Sequence, residues 1–149
     1  MGLDIRVIAY ETPEHAEAVA LRRAILRTPL GLDFSVEDLA REAGDTHFAA
    51  FFEGRLVGTV VLTPYAAGPY EAPRVKLRQM AVADDLRGEH VGTKLLTAFE
   101  THARVTGIGE IVLAARATAQ GFYARYGYDT DGAIFTEVTI PHVKMWKAL

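Results

Sequence analysis

Residues 76–96, which read KLRQMAVADDLRGEHVGTKLL, set the architecture of this chain. They contain a short apolar run at residues 80–82, followed by the turn-forming pair Asp84 and Asp85, and this combination is typical of a buried strand. A loop at residues 87–92 comes next. Apolar residues then recur at helical spacing, so the sequence predicts a helix of about four turns that begins at the second glycine of the loop.

A strand, a glycine-containing loop and a helix in this order form the geometry of a phosphate site. The N–H groups of such a loop and the positive end of the helix dipole bind an anion without a particular side chain. The Walker pattern is excluded, because Gly88 and Gly92 enclose three residues rather than four and are followed by Thr93 and Lys94. The dinucleotide fingerprint is excluded too, since the G-x-G at residues 107–109 precedes a predicted strand.

The loop resembles Q/R-x-x-G-x-G/A, the pyrophosphate loop of the GNAT family of N-acetyltransferases. Arg87 and Gly92 match this pattern, whereas His90 stands in place of the middle glycine. Two interpretations of His90 stay open. Its side chain faces solvent over the loop, which we favour, or its imidazolium pairs with a phosphate at lower pH. If the position needs a positive φ, histidine tolerates it better than most residues.

A second stretch, residues 114–128, reads AARATAQGFYARYGY. It resembles the A-x-x-F-Y-x-x-x-G-[FY] segment of the same family, with Ala119 as the alanine and Gly127 as the glycine. Tyr123 then corresponds to the tyrosine that serves the family as general acid. Taken alone, the pair Phe122 and Tyr123 on an amphipathic helix would favour a core position instead. In combination with the loop, the resemblance favours the catalytic interpretation.

The resemblance covers nearly the whole chain and implies an α/β fold, with a mixed central sheet of six to seven strands and about four helices. It also implies that acetyl-CoA lies in a cleft where two parallel central strands splay, residues 80–82 from residues 111–113. The backbone of the first strand would pair with the pantetheine arm like an added strand, and loop amides would hold the pyrophosphate. The implied cofactor-binding residues are Met80, Ala81, Val82, Arg87, Gly88, Glu89, His90, Val91, Gly92 and Thr93.

The resemblance further implies direct attack of an amine on the thioester while both substrates are bound, with Tyr123 as general acid. Lys76 stands where some branches of the family carry a glutamate base, so that assignment fails. Glu137, His142, His47 and a water chain remain candidates for the base, and Glu137 and His142 are the expected substrate-side residues. Two alternatives stay open: a module that binds and senses acyl-CoA without turnover, and an acyl donor other than acetyl-CoA.

Composition excludes other classes. A chain of 149 residues is expected to form one domain, residues 1–149, and to bury roughly 68–70% of its unfolded surface. There is no cysteine, and the only serine, Ser35, suits a helix cap. The composition therefore argues against a hydrolase with a serine or cysteine nucleophile. The five histidines have no metal-site spacing, and we expect no metal.

Charge and hydropathy argue against two kinds of partner, nucleic acids and membranes. The net charge of −3 and scattered basic residues argue against nucleic acid, and no apolar run approaches the ~20 residues of a membrane span. We therefore expect a cytoplasmic protein without nucleic-acid or membrane partners. The resemblance implies that its partners are acetyl-CoA and an amine, and a homodimer stays open. Arg22, Arg23 and Arg27 cluster, and a solvated helix face is favoured over recognition of an acidic substrate.

Local patterns predict the remaining elements. Residues 12–14 supply a cap, a proline and an acid at a helix start, and residues 35–38 resemble a capping box. A loop is predicted at residues 64–73. The predicted strands span residues 5–10, 47–52, 56–62, 80–82 and 110–115, with a closing pair at about 128–134 and 142–147. Besides the helix after the loop, the predicted helices span residues 13–27, about 36–43 and 118–125.

Overall fold

The computed structural model describes residues 2–65 and 72–149. Its strands are β1 (Leu3–Ile8), β2 (Thr46–Phe52), β3 (Arg55–Tyr65), β4 (Arg74–Val82), β5 (Glu110–Arg116), β6 (Ile134–Glu137) and β7 (Ile140–Ala148). Its α-helices are α1 (Pro13–Arg22), α2 (Val36–Ala40), α3 (Val91–Val105) and α4 (Gln120–Arg125). A π-helical turn, Arg23–Arg27, extends α1, and single 3-10 turns lie at Thr28–Leu30, Asp84–Leu86 and Ala117–Ala119.

The chain forms two compact units. The first consists of Met1–Thr63 and Arg78–His102, and the second of Pro64–Leu77 and Ala103–Leu149. The border falls inside β4, so this strand contributes to both units. The expectation of a single domain stays a prediction.

The first unit contains an antiparallel sheet covered by helices. β2 pairs antiparallel with β1 and with β3, and the β2–β3 turn uses Glu53 and Gly54, both with positive φ. A core cluster joins the sheet to α1 and consists of Ile8, Ala18, Ala49, Phe51 and Leu56, with Leu21 packed against it. The residues of α3 that recur at helical spacing are buried as predicted, namely Val91, Leu95, Leu96, Phe99 and Ala103. The predicted hairpin and helix are therefore confirmed.

The second unit holds the closing strands. β5 pairs in parallel with the first half of β4, from Arg74 opposite Glu110 to Leu77 opposite Leu113. Its other edge pairs antiparallel with β7, and β6 forms a hairpin with β7. With β4 shared, the described residues form a mixed sheet of seven strands in the order β1-β2-β3-β4-β5-β7-β6, together with four α-helices. The predicted fold class is confirmed.

Several predicted boundaries were wrong. The first strand is shifted by two residues toward the N-terminus, and the strand predicted at 128–134 lies instead at Ile134–Glu137. The predicted loop at 64–73 begins later, because Pro64 and Tyr65 still belong to β3, and residues 66–71 of it lie outside the described part of the chain. The pairing of β4 with β5 joins residues 75–77 to residues 111–113, and residues 80–82 lie beyond it, in agreement with the predicted splay.

The prediction of a solvated arginine face was wrong for Arg22. This side chain is 1% exposed, and its guanidinium donates two hydrogen bonds of 2.8 Å to the buried carboxylate of Glu42. Loss of one partner from such a pair costs about 3–5 kcal/mol, because the other charge stays buried without compensation. The partner lies 20 residues away in sequence, so helical spacing alone did not reveal it.

Candidate active site

The glycine loop (residues 87–92) is held in place by a close approach of α3 to β3 in the first unit. A β-carbon added to Gly58 would lie 2.8 Å from both Val91 Cγ1 and Leu95 Cδ1. A larger residue at position 58 would therefore require these two side chains in the first turns of α3 to shift. The contact fixes the start of the helix, where the dipole is most positive.

Among the described residues, several main-chain N–H groups at this helix start have no backbone acceptor. Lys94 N–H donates to the carbonyl of His90 at 3.0 Å, the first bond of the helical ladder. Within residues 2–65 and 72–149, the N–H groups of Gly88, His90, Val91 and Gly92 donate to no backbone carbonyl. Free N–H groups at the first turn of a helix form an anion-binding site together with the helix dipole.

The backbone at His90 has the positive φ that the sequence analysis considered for this position. Gly88 has φ = 88° and His90 has φ = 64°, so both are left-handed. His90 thus occupies a conformation that histidine adopts more readily than branched residues. Its side chain is exposed, as favoured from the sequence. A role for its imidazole toward phosphate stays a prediction.

Exposed ion pairs brace the segment before the loop. Arg87 Nη2 lies 3.1 Å from Asp84 Oδ1, and Arg55 in the β2–β3 hairpin makes two bonds of 2.8 Å to the carboxylate of Asp85. The hydrogen bond from Arg55 lowers the pKa of Asp85. Sequence analysis missed this brace, since residues 55 and 85 are far apart in the chain.

The second half of β4 lies next to this loop in sequence. The pairing of β4 with β5 runs from Arg74 to Leu77, so Met80, Ala81 and Val82 fall beyond it. Gln79, just before them, has φ = 58°, a strained value for a residue other than glycine. Strain of this kind is common at functional sites, and no sequence pattern marked it beforehand.

Tyr123 lies in α4 of the second unit and is 5% exposed. Its ring packs edge-on against Phe122 and Tyr128, with centroid distances of 5.0 and 5.7 Å. Burial raises the pKa of its hydroxyl well above the ordinary value of 10. Among the described residues the hydroxyl has no hydrogen-bond partner. A protonated, unpaired hydroxyl is able to donate a proton or a hydrogen bond to a ligand.

Glu137 and His142, the expected substrate-side residues, meet in the β6–β7 hairpin. His142 Nε2 lies 3.8 Å from Glu137 Oε2, and His142 Nδ1 is 3.0 Å from the carbonyl oxygen of Ile140. A carbonyl only accepts, so Nδ1 carries the hydrogen and the lone pair sits on Nε2. His142 is 4% exposed, whereas the carboxylate of Glu137 is half-exposed.

His47, the third candidate base, lies in the first unit and is 2% exposed. Its Nε2 is 3.1 Å from the carbonyl oxygen of Glu42, and its ring packs against Tyr10 and His15. Its contacts are those of a core residue. The cofactor-binding candidates thus lie in the first unit, and Tyr123, Glu137 and His142 in the second.

Comparison with known proteins identifies the class. The family model of the acetyltransferase (GNAT) domain matches residues 30–149, so the chain belongs to the GNAT acetyltransferases. A candidate N-acetyltransferase from Lactobacillus plantarum has a similar structure, with a TM-score of 0.83, 25% identity, and coverage of 100% of this chain and 99% of that one. The chain is an acyl-CoA-dependent N-acetyltransferase, because this activity defines the family.

Two solved relatives contain coenzyme A. The PaiA N-acetyltransferase from Thermoplasma acidophilum, in complex with coenzyme A, matches with a TM-score of 0.75 and 17% identity over all of both chains. An aminoglycoside 6'-N-acetyltransferase, also complexed with coenzyme A, matches with a TM-score of 0.77 and 18% identity over 97% of this chain and 96% of that one. At this identity these two matches support the fold.

Metal-ligand groups and membrane-spanning helices are both absent from the described residues. No three His, Asp or Glu side chains in residues 2–65 and 72–149 are grouped so as to hold a metal ion. No helix in the same ranges is long and apolar enough to span a membrane.

Proposed function

We propose that the chain transfers an acetyl group from acetyl-CoA to a primary amine, with the diphosphate of CoA bound by main-chain amides of the glycine loop. The observation that carries this proposal is the set of four amides without backbone acceptors at residues 88 and 90–92, at the start of a 15-residue helix. Backbone donors bind a diphosphate whatever the side chains are. The departure at His90 therefore leaves the backbone site intact, since His90 already adopts a positive φ of 64°, a region that glycine populates readily.

The edge of β4 at Met80, Ala81 and Val82 receives the pantetheine arm in this proposal. These residues lie beyond the segment that pairs with β5, so their backbone groups on that edge are not used by a strand of the described chain. An extended amide-bearing chain adds to such an edge by main-chain hydrogen bonds. The thioester would then lie close to the strained residue Gln79.

The reaction is a direct transfer. The amine nitrogen attacks the thioester carbonyl carbon, the carbon–sulfur bond breaks, and the sulfur leaves with the bonding electron pair. Tyr123 donates its proton to this thiolate and recovers one from solvent, while the amine loses one proton to a base. The raised pKa of Tyr123 keeps it protonated at neutral pH but makes the donation uphill to a thiol of pKa about 8.5. Tyr123 therefore first stabilises the charge that develops on sulfur by a hydrogen bond and then transfers its proton to the thiolate.

His142 is the best of the candidate bases in this proposal. Its Nδ1–H is committed to the Ile140 carbonyl, which leaves Nε2 as an acceptor, and Glu137 stands 3.8 Å away to stabilise the imidazolium. His47 is less suited, because its ring is enclosed by Tyr10 and His15.

Release of the CoA thiol tests the proposed function directly. The protein contains no cysteine, so a thiol reagent reports only the product. We expect saturable, acetyl-CoA-dependent thiol release with at least one member of a panel of primary amines. Saturable binding of acetyl-CoA without release on any amine would contradict transfer and favour a sensing role.

A further inference from the structure

Arg78 is the accessible member of a charged cluster in the first unit, which we call the Arg78 cluster (Arg22, Glu42, Asp45 and Arg78). Arg22 and Glu42 form a buried ion pair, and their side chains are 1% and 2% exposed. Asp45 accepts a hydrogen bond of 2.9 Å from Thr63 Oγ1, and its side chain is 5% exposed. Arg78 retains 32% of its side-chain exposure. A ligand that approaches the cluster therefore meets the guanidinium of Arg78 rather than a carboxylate.

The polar contacts of Arg78 with the described residues are made through its Nη1 atom. Nη1 lies 3.5 Å from Thr63 Oγ1, 3.6 Å from Glu42 Oε2 and 3.9 Å from Asp45 Oδ2. These distances exceed the ~2.7–3.2 Å of a good N–H···O bond. Within the described ranges, Nε and Nη2 have no hydrogen-bond partner. The protein thus orients the guanidinium but leaves its Nε–Nη2 edge available.

The Nε–Nη2 edge of arginine is a planar fork whose two N–H groups match the two oxygens of a carboxylate. Behind it, Glu42 and Asp45 hold the guanidinium by ion pairs at 3.6 and 3.9 Å and reduce the rotamer freedom lost on binding. Arg78 also precedes Met80 by two residues, about 7 Å along a strand. A group held by this fork lies close to the part of β4 that anchors the acyl donor in the proposed function.

We infer that the acceptor is an amine that also carries a carboxylate, as an amino acid does, and that this carboxylate binds the Nε–Nη2 fork of Arg78. The inference rests on the proposed function, because it takes residues 80–82 as the donor strand. Arg78 takes part in no bond making or breaking. It positions the acceptor and selects it.

Matched acceptor pairs test the inference. Thiol release is measured for amino acids with α-, β- and γ-amino groups and for the corresponding carboxamides. We expect wild-type kcat/KM to favour the best carboxylate over its carboxamide by ~10- to 100-fold, the range for one charge-assisted contact. In Arg78→Gln this ratio falls to about 1, and in Arg78→Lys, which keeps the charge and loses the fork, it is intermediate. Each ratio is taken within one variant, so a smaller folded fraction cancels.

Arg6→Gln is the matched control. It makes the same change of side chain and net charge on β1, where Arg6 pairs with Asp4 and Glu14, and it should keep the wild-type ratio. CoA affinity should be equal in all variants. Wild-type transfer that ignores the carboxylate, or a ratio preserved in Arg78→Gln, would overturn the inference and leave the proposed function standing. Absence of transfer to every amine would overturn both.

Discussion

The glycine loop and helix α4 carry their chemistry in different kinds of atom. The loop presents main-chain N–H groups, and its two left-handed residues are Gly88 and His90. Helix α4 presents one side-chain hydroxyl, that of Tyr123, inside a cluster of aromatic rings. A site made of backbone tolerates substitution wherever the conformation is kept. A site made of one buried hydroxyl depends on the identity of that residue.

The largest expected effect follows from the hydroxyl. We expect Tyr123→Phe to lower kcat by at least ~100-fold, because it removes the proton donor and keeps the ring packing. The affinity for CoA should stay nearly unchanged. Tyr126→Phe, three residues away in the same aromatic cluster, is the control and should leave kcat within a few-fold. Steady-state thiol release measures both, and an unchanged kcat in Tyr123→Phe would remove it from the acid role.

The complementary change removes one amide from the loop. Proline is tolerated in the first turn of a helix, where its missing N–H costs no helical bond. We expect Gly92→Pro to weaken CoA binding by ~10-fold or more, since an N–H to a charged phosphate is lost. Gly92→Ala keeps the N–H and should bind nearly as the wild type does. Calorimetry measures the CoA affinity of both variants. Equal affinities would show that side chains or other groups, rather than the N–H of residue 92, bind the diphosphate.

A smaller effect tests whether the loop depends on the close packing of α3 against β3 at Gly58. Gly58→Val places carbon atoms where Val91 and Leu95 now lie, and we expect it to lower the free energy of unfolding by about 1–3 kcal/mol. The start of α3 must shift, so CoA affinity should fall as well. Gly44→Val is the control, because a β-carbon there meets nothing within 4 Å. Chemical denaturation that shows no difference between the two variants would contradict the close approach at Gly58.

The smallest effect concerns side chains of the first unit away from the loop. Burial, together with His47 and Arg22, lowers the pKa of His15, against a weaker opposite effect of Glu42 and Glu11. The folded state therefore prefers neutral His15, and its stability declines as the pH falls below about 6.5, the ordinary histidine pKa. We expect His15→Gln to reduce the slope of unfolding free energy against pH between 7.5 and 5. An unchanged slope would mean that His15 titrates alike in both states, and CoA affinity at pH 7.5 should not change.

Local patterns were sufficient to predict the start of α2 and the buried face of α3. Ser35 and Asp38 form the predicted capping box, with reciprocal bonds of 3.0 and 3.1 Å, and α3 buries the predicted stripe. β4 was predicted too short, although the alternation of half-buried Arg74 and Lys76 with buried Val75 and Leu77 is itself a strand signal. That signal was obscured by the more apolar run that follows it.

Features that depend on long-range partners were not predictable. The sequence around Arg22 and Arg55 does not indicate that they pair with Glu42 and Asp85, because each partner lies in a different part of the chain. The strained φ of Gln79 likewise has no sequence signature. The site could be predicted as a list of residues. The pairing of Glu137 with His142 depends on the register of the β6–β7 hairpin, and the open edge of Arg78 depends on partners that other elements supply.

Binding of coenzyme A compared with pantetheine, which lacks the diphosphate, tests the amide-bound diphosphate most directly. Calorimetry of the unmodified protein should show saturable heat with coenzyme A and binding at least ~10-fold weaker with pantetheine, because the amides of the glycine loop then have no anion to hold. Equal affinity for the two ligands, or no heat with millimolar coenzyme A, would contradict a site built from main-chain N–H groups at the start of α3.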